Sequence, residues 1–102
     1  MLDIDKVDIE ILGILYTEDK VSPLYSIQVK DVISRFSYET SYYTIVRRFQ
    51  KLIEKGYCLE GYKCRNAKAY YLSDKGNCFY KEEIIEKEDA DINIKINNEG
   101  EI

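Results

Sequence analysis

A chain of 102 residues with 45% hydrophobic residues and a formal charge of −4 has room for one modest core and not for two. No apolar run approaches the roughly 20 residues that cross a bilayer, and the acidic start Met1-Leu2-Asp3-Ile4-Asp5 lacks a secretion signal's cationic lead, so no membrane partner and a cytoplasmic location are expected. The chain has no His, and its three Cys (Cys58, Cys64, Cys78) are not closely paired, which argues against a zinc site; with no catalytic trio and no phosphate-binding Gly loop, neither an enzyme nor a bound cofactor is expected.

In chain order, Ile4, Val7, Ile11, Leu12, Ile14 and Leu15 recur with the spacing of one helix face over about residues 4–17. Asp3 or Asp5 is placed to cap that helix, and Gly13 inside it is read as a point of close packing. Residues 18–25, which hold the single proline Pro23, read as a loop. A second helical stripe follows through Ile27 or Val29, Val32, Ile33 and Phe36, with Ser26 as its candidate cap. The short polar stretch from Ser37 to Ser41 leads into a third helix that runs to about Lys55, with Gly56 as its stop. Its inward stripe is Tyr42, Ile45, Val46, Phe49, Leu52 and Ile53; its outward stripe is Glu39, Thr40, Tyr43, Thr44, Arg47, Arg48 and Lys51. Two helices about four residues apart are the helix-turn-helix signal. Residues 57–62 and 69–72, rich in aromatic and branched side chains, read as paired strands with a six-residue basic tip, Lys63 to Lys68. Ser73-Asp74 opens a last helix with Phe79, Tyr80, Ile84 and Ile85 on its apolar side.

The expected fold class is therefore α+β: a winged helix-turn-helix with a three-helix core, a two-stranded β-wing and a C-terminal helix. It occupies residues 1–87. Residues 88–102 form an acidic tail, disordered or a short strand through Ile92, Ile94 and Ile96.

The negative total hides a division by region. Residues 1–29 carry two Lys against six acids, and residues 82–102 two Lys against eight, whereas residues 30–75 carry ten Lys or Arg against five acids. The local field, not the total, decides whether a surface attracts a polyanion. Its alternative is a solvated surface with scattered charge. The cysteines read as reduced thiols; Cys64, between Lys63 and Arg65, is a candidate redox sensor set against an incidental exposed thiol.

The run Arg47-Arg48-Phe49-Gln50-Lys51-Leu52-Ile53-Glu54-Lys55-Gly56-Tyr57, followed by Asn66-Ala67-Lys68-Ala69-Tyr70-Tyr71-Leu72-Ser73-Asp74-Lys75-Gly76, resembles winged-helix regulators of the MarR and PadR types. The matched features are the Leu52-to-Gly56 end of the recognition helix and the wing-closing Tyr70-to-Gly76 motif. The chain is shorter than the MarR type, which argues against extra dimerisation helices and against a small-molecule effector pocket between them. Small winged helices encoded by plasmids or viruses, centromere-binding partition adaptors among them, fit the length better.

The resemblance implies sequence-specific binding to double-stranded DNA by a transcriptional repressor that acts as a homodimer. The third helix would enter the major groove, with Thr40, Ser41, Tyr43 and Thr44 at base edges and Arg47 as the bidentate fork. Arg48 and Lys51 would neutralise phosphates, and Arg48 has a rival place beside Glu39 or Glu54. Lys63, Arg65, Asn66 and Lys68 would sit on the backbone or in the minor groove. Leu2, Ile4, Val7, Ile84 and Ile85 would supply the dimer contact. Two alternatives stay open: a plasmid or phage partition adaptor, and a winged helix used only for protein contacts.

Overall fold

The computed structural model of the chain describes residues 4–61 and 68–87. The wing-tip residues Lys63, Cys64, Arg65 and Asn66, the dimer candidate Leu2 and the acidic tail lie outside the described residues.

Helix α1, Lys6–Thr17, starts at Asp5. The Asp5 carboxylate accepts from the Asp8 N–H at 3.1 Å, and the Asp8 carboxylate accepts from the Asp5 N–H at 3.3 Å. This reciprocal cap satisfies two of the N–H groups that a helix start leaves unpaired. The helix buries Ile11, Leu12 and Leu15. Gly13 packs against the ring of Tyr80, and the Tyr80 ring lies 5.1 Å from that of Tyr16, so α1 is the seat of the last helix.

The second stripe divides into two elements. Ile27–Gln28 form a short strand, β1, and helix α2, Val29–Arg35, follows at once. Gln28 stands at the α2 N-cap without a side-chain hydrogen bond, so Ser26 is not the cap. The N–H of Val29 instead donates to the Lys68 carbonyl at 3.3 Å. Ile27 serves the sheet, where it is buried opposite Tyr70.

Helix α3, Tyr42–Glu54, begins at Ser41, whose hydroxyl accepts from the Thr44 N–H at 3.1 Å. It ends at Gly56, whose φ of +83° is a left-handed conformation that L side chains rarely adopt. Its terminal carbonyls are taken up by the next helix: Lys75 Nζ donates to the Lys55 carbonyl at 2.9 Å, and Ser73 Oγ donates to that of Gly56. Strands β2, Cys58–Glu60, and β3, Ala69–Leu72, follow, with Cys58 opposite Leu72 and Glu60 opposite Tyr70. The sheet is antiparallel in the order β1-β3-β2, so the expected two-stranded wing carries a third short strand. Helix α4, Asp74–Tyr80, is capped by Ser73 and runs on into one π-helical turn, Lys81–Ile85.

One core joins these elements. Ile11, Leu12 and Leu15 of α1 meet Val32 of α2, Ile45, Phe49 and Leu52 of α3, and Cys58, Tyr70 and Leu72 of the sheet. Phe49 stacks on Tyr70 with ring centroids 4.1 Å apart and planes 9° from parallel. That stack fixes the third helix to the wing. Tyr42 departs from the expected inward stripe: it is 50% exposed. It opens the helix one turn before Ile45, beyond the reach of the core. There it lines a small cleft of about 70 Å³ with Gln28, Val29, Lys30 and Lys68.

Candidate nucleic-acid interface

The inner face of α3 is anchored by Ile45, Val46, Phe49 and Leu52, all buried. At 3.6 residues per turn the opposite ridge falls on Tyr43, Arg47, Gln50 and Glu54, and all four are exposed. Tyr43 is 71% exposed, a large ring held out in solvent. The Arg47 guanidinium carbon lies 5.8 Å from the centre of that ring, near enough for a cation–π contact. Gln50, one turn further on, is a residue the outward stripe omitted. Its amide can bond adenine bidentately, and its spacing of three from Arg47 is the signal that places it there.

The start of α3 presents hydroxyls. Ser41 is exposed and Thr40 half-buried. Ser41 Oγ donates to Thr44 Oγ1 at 2.9 Å, which holds the two hydroxyls side by side at the helix start. Lys68 stands half-buried at the foot of β3, and with Tyr42 and Lys30 it brings the base of the wing next to the starts of α2 and α3. Lys30 is exposed and was not among the expected contacts.

Arg48 and Lys51 are not on this ridge. They face the start of α1, where Arg48 pairs with Asp5 and lies 3.7 Å from Asp8, and Lys51 Nζ meets Asp8 Oδ2 at 2.7 Å. The structure puts Arg48 beside Asp5 and Asp8, not beside Glu39 or Glu54. Burial works against the charged form of Asp5, but the Asp8 N–H, Arg48 and Lys51 outweigh it and hold the carboxyl below its usual range. Burial, with the Asp8 carboxylate adding to it, pushes the Cys58 thiol well above its ordinary value, which keeps it protonated and inert. Burial, then Glu60 and Tyr42, raises the Tyr70 phenol.

Elsewhere the site chemistry is sparse. Among the described residues no cluster of His, Cys, Asp or Glu is arranged to hold a metal ion, and no helix is long and apolar enough to cross a membrane. An open groove of about 530 Å³ runs between α1 and Tyr80, with Lys6, Glu10, Ile14 and Arg35 along it. Of the expected dimer residues, Ile4 and Val7 are half-buried against the core, and Ile84 and Ile85 are half-buried on the π-helical turn.

A helix-turn-helix whose second helix shows a polar ridge to solvent, joined to a β-wing that closes on a capped fourth helix, defines an α+β winged helix. No family model matches the chain, and no curated protein matches it. Solved structures do. TubR from Bacillus megaterium pBM400 superposes with a TM-score of 0.69 at 17% identity, over 80% of this chain and 88% of that one. MepR, a transcription regulator of the Staphylococcus aureus multidrug efflux pump MepA, gives 0.67 at 15% identity, over 97% of this chain and 73% of its own. ZitR from Lactococcus lactis, in a mutant form, gives 0.66 at 12%, over 96% of this chain and 63% of that one. At these identities the likeness is one of fold, and at that level the resemblance drawn from Leu52–Gly56 and Tyr70–Gly76 holds.

Proposed function

We propose that the chain binds double-stranded DNA sequence-specifically and acts as a transcriptional regulator of the repressor kind. The observation that carries this reading is the Tyr43–Arg47–Gln50 ridge: polar, exposed and rigidly backed by a buried stripe. A helix so presented has the width and chemistry of a major-groove reader. Thr40, Ser41 and Thr44 add hydroxyls at its leading end, and Lys68 starts the wing that reaches the flanking backbone or minor groove with Lys63, Arg65 and Asn66. A fold of the same kind has been seen on DNA, in a MepR–DNA complex from S. aureus that superposes with a TM-score of 0.60 at 16% identity over 94% of this chain and 81% of that one. One winged helix covers few base pairs, so the working form is a homodimer that reads two half-sites about a helical turn apart, in the cytoplasm. Nothing in this mode of action calls for catalysis, a cofactor or a small-molecule effector.

A second reading is a partition adaptor that coats tandem sites. What supports it is the fold likeness to TubR, a plasmid partition DNA-binding protein, over 80% of this chain and 88% of that one. An adaptor requires repeated sites and cooperative filling, and a repressor requires one operator.

The test is a fluorescence-anisotropy titration of labelled duplexes from the flanks of the chain's own gene, against scrambled duplexes, with Arg47→Ala alongside. A bidentate base contact contributes about 1–3 kcal/mol of discrimination, so the variant should lose about 5- to 150-fold in the ratio of specific to scrambled affinity. Equal losses on both duplexes would make Arg47 a phosphate contact. Absence of saturable binding at low salt would refute DNA binding and leave the protein-contact reading.

A further inference from the structure

The polar cluster between α1 and α3 has no role in the reading above. Asp8 is the buried charged residue among the described residues, fully enclosed, and its Oδ1 has no hydrogen-bond partner there. Its Oδ2 takes Lys51 Nζ at 2.7 Å and lies 3.7 Å from Arg48 Nη1, while the Asp5 carboxylate takes Arg48 directly. Two carboxylates and two cations thus form one neutral group. Both acids are fixed in place by the reciprocal cap that starts α1.

The charge pattern of α3 assigns four cations to this element and its end: Arg47, Arg48, Lys51 and Lys55. Only Arg47 lies on the exposed ridge. For Arg48 or Lys51 to reach a DNA phosphate, each would have to leave a carboxylate that already supplies an anionic oxygen at hydrogen-bond distance. Such an exchange replaces one charge-assisted bond by another, and for Lys51 it also uncovers the buried Asp8 carboxylate. Counterion release, the source of salt-dependent affinity, needs cations that neutralise phosphates.

We infer that Asp5 and Asp8 are an internal stand-in for DNA phosphate that withholds Arg48 and Lys51 from the interface. The device lowers affinity for arbitrary DNA and leaves sequence reading to Tyr43, Arg47 and Gln50. It rests on the DNA-binding reading and concerns the same helix. Asp5 and Asp8 touch no DNA; they set which of the helix's charges do.

The test is the salt dependence of binding to a random duplex, from about 50 to 200 mM salt, for the full chain, Asp5→Asn and the charge-balanced double variant Asp5→Asn/Arg48→Gln. Asn caps helices as well as Asp, so Asp5→Asn keeps α1, as a circular-dichroism melt will verify. It leaves two cations on one carboxylate. Its slope of log affinity on log salt should steepen by about 0.9, which is about 3.5-fold more affinity lost across that range. The double variant should return to the wild-type slope. The inference is overturned if the double variant is shallower than wild type by about 0.9, because Arg48 then meets a phosphate, or if folded Asp5→Asn matches wild type. The double variant decides the point even if the single one folds poorly. A wild-type chain that binds no duplex at any salt defeats the DNA-binding reading itself, and the inference with it.

Discussion

Phe49 is where the reading helix and the wing are joined, so its truncation probes the architecture behind the interface. The ring is fully buried in α3 and stacks on Tyr70 of β3 at 4.1 Å. Phe→Ala at a core position typically costs about 3–5 kcal/mol, from lost transfer energy and the cavity left behind. The stack accounts for about 0.5–1.5 kcal/mol beyond the area buried. Neighbours on both sides are themselves fully buried, Ile45 and Leu52 along the helix and Leu72 in the sheet, so collapse into the gap is limited and the upper half of the range applies. A domain of this size is stable by about 5–15 kcal/mol in all. Phe49→Ala should therefore remove a large share of it and lower the melting temperature by at least about 16 °C. Phe49→Leu keeps most of the volume and should cost about 1–2 kcal/mol. Urea titrations followed by circular dichroism measure both. A cost under about 1 kcal/mol for Phe49→Ala would refute the claim that this stack binds α3 to the wing.

Three further outcomes follow from the packing and the charges. Gly76→Ala places a Cβ against the Tyr57 carbonyl oxygen and 2.9 Å from Leu72 Cδ1; a loss of about 1–3 kcal/mol in the same titration is expected, and a neutral result would show that α4 does not pack so close to Tyr57 and Leu72. In the native protein, iodoacetamide should label exposed Cys78 and spare buried Cys58 until denaturant is added, as peptide mass mapping will show; equal rates would contradict the buried, protonated thiol. Because the Asp8 N–H, Arg48 and Lys51 depress the folded-state pKa of Asp5 against the pull of burial, its carboxylate stabilises the fold above the unfolded value of about 3.9 and that contribution fades as pH falls through the folded one. The stability gap between wild type and Asp5→Asn should thus be largest at neutral pH and close in acid; a gap that widens in acid would reverse the sign of the effect.

Where local chemistry decides structure, the sequence is a good guide. The caps at Asp5, Ser41 and Ser73 and the left-handed Gly56 stand where hydroxyls, carboxylates and a glycine punctuate the periodic segments. The ends of α3 and the strand at Ala69–Leu72 followed from the same signals. What escaped was non-local. Strand β1 is two residues long, and Ile27 fits a helical stripe as well as a strand; only pairing with Tyr70 of β3 settles it. Tyr42 fits the apolar stripe by spacing, but the core ends one turn below it. Nothing in the order of residues puts the start of α1 beside the middle of α3, so the pairing of Arg48 and Lys51 with Asp5 and Asp8 is visible only in three dimensions. Gln50 is legible by its spacing from Arg47, but it carries no charge, so the charge pattern does not mark it.

The central claim, that the exposed ridge of α3 and the foot of the wing meet DNA, is tested most directly by following backbone amide resonances of the labelled protein during titration with a duplex from beside its gene. The expected shifts concentrate on residues 40–50 and on Lys68, with Ile9, Ile14 and Arg35 along the α1 groove unmoved. Shifts confined to that groove and to Tyr80, with Tyr43, Arg47 and Gln50 silent, would contradict the claim and assign the helix ridge no part in binding DNA.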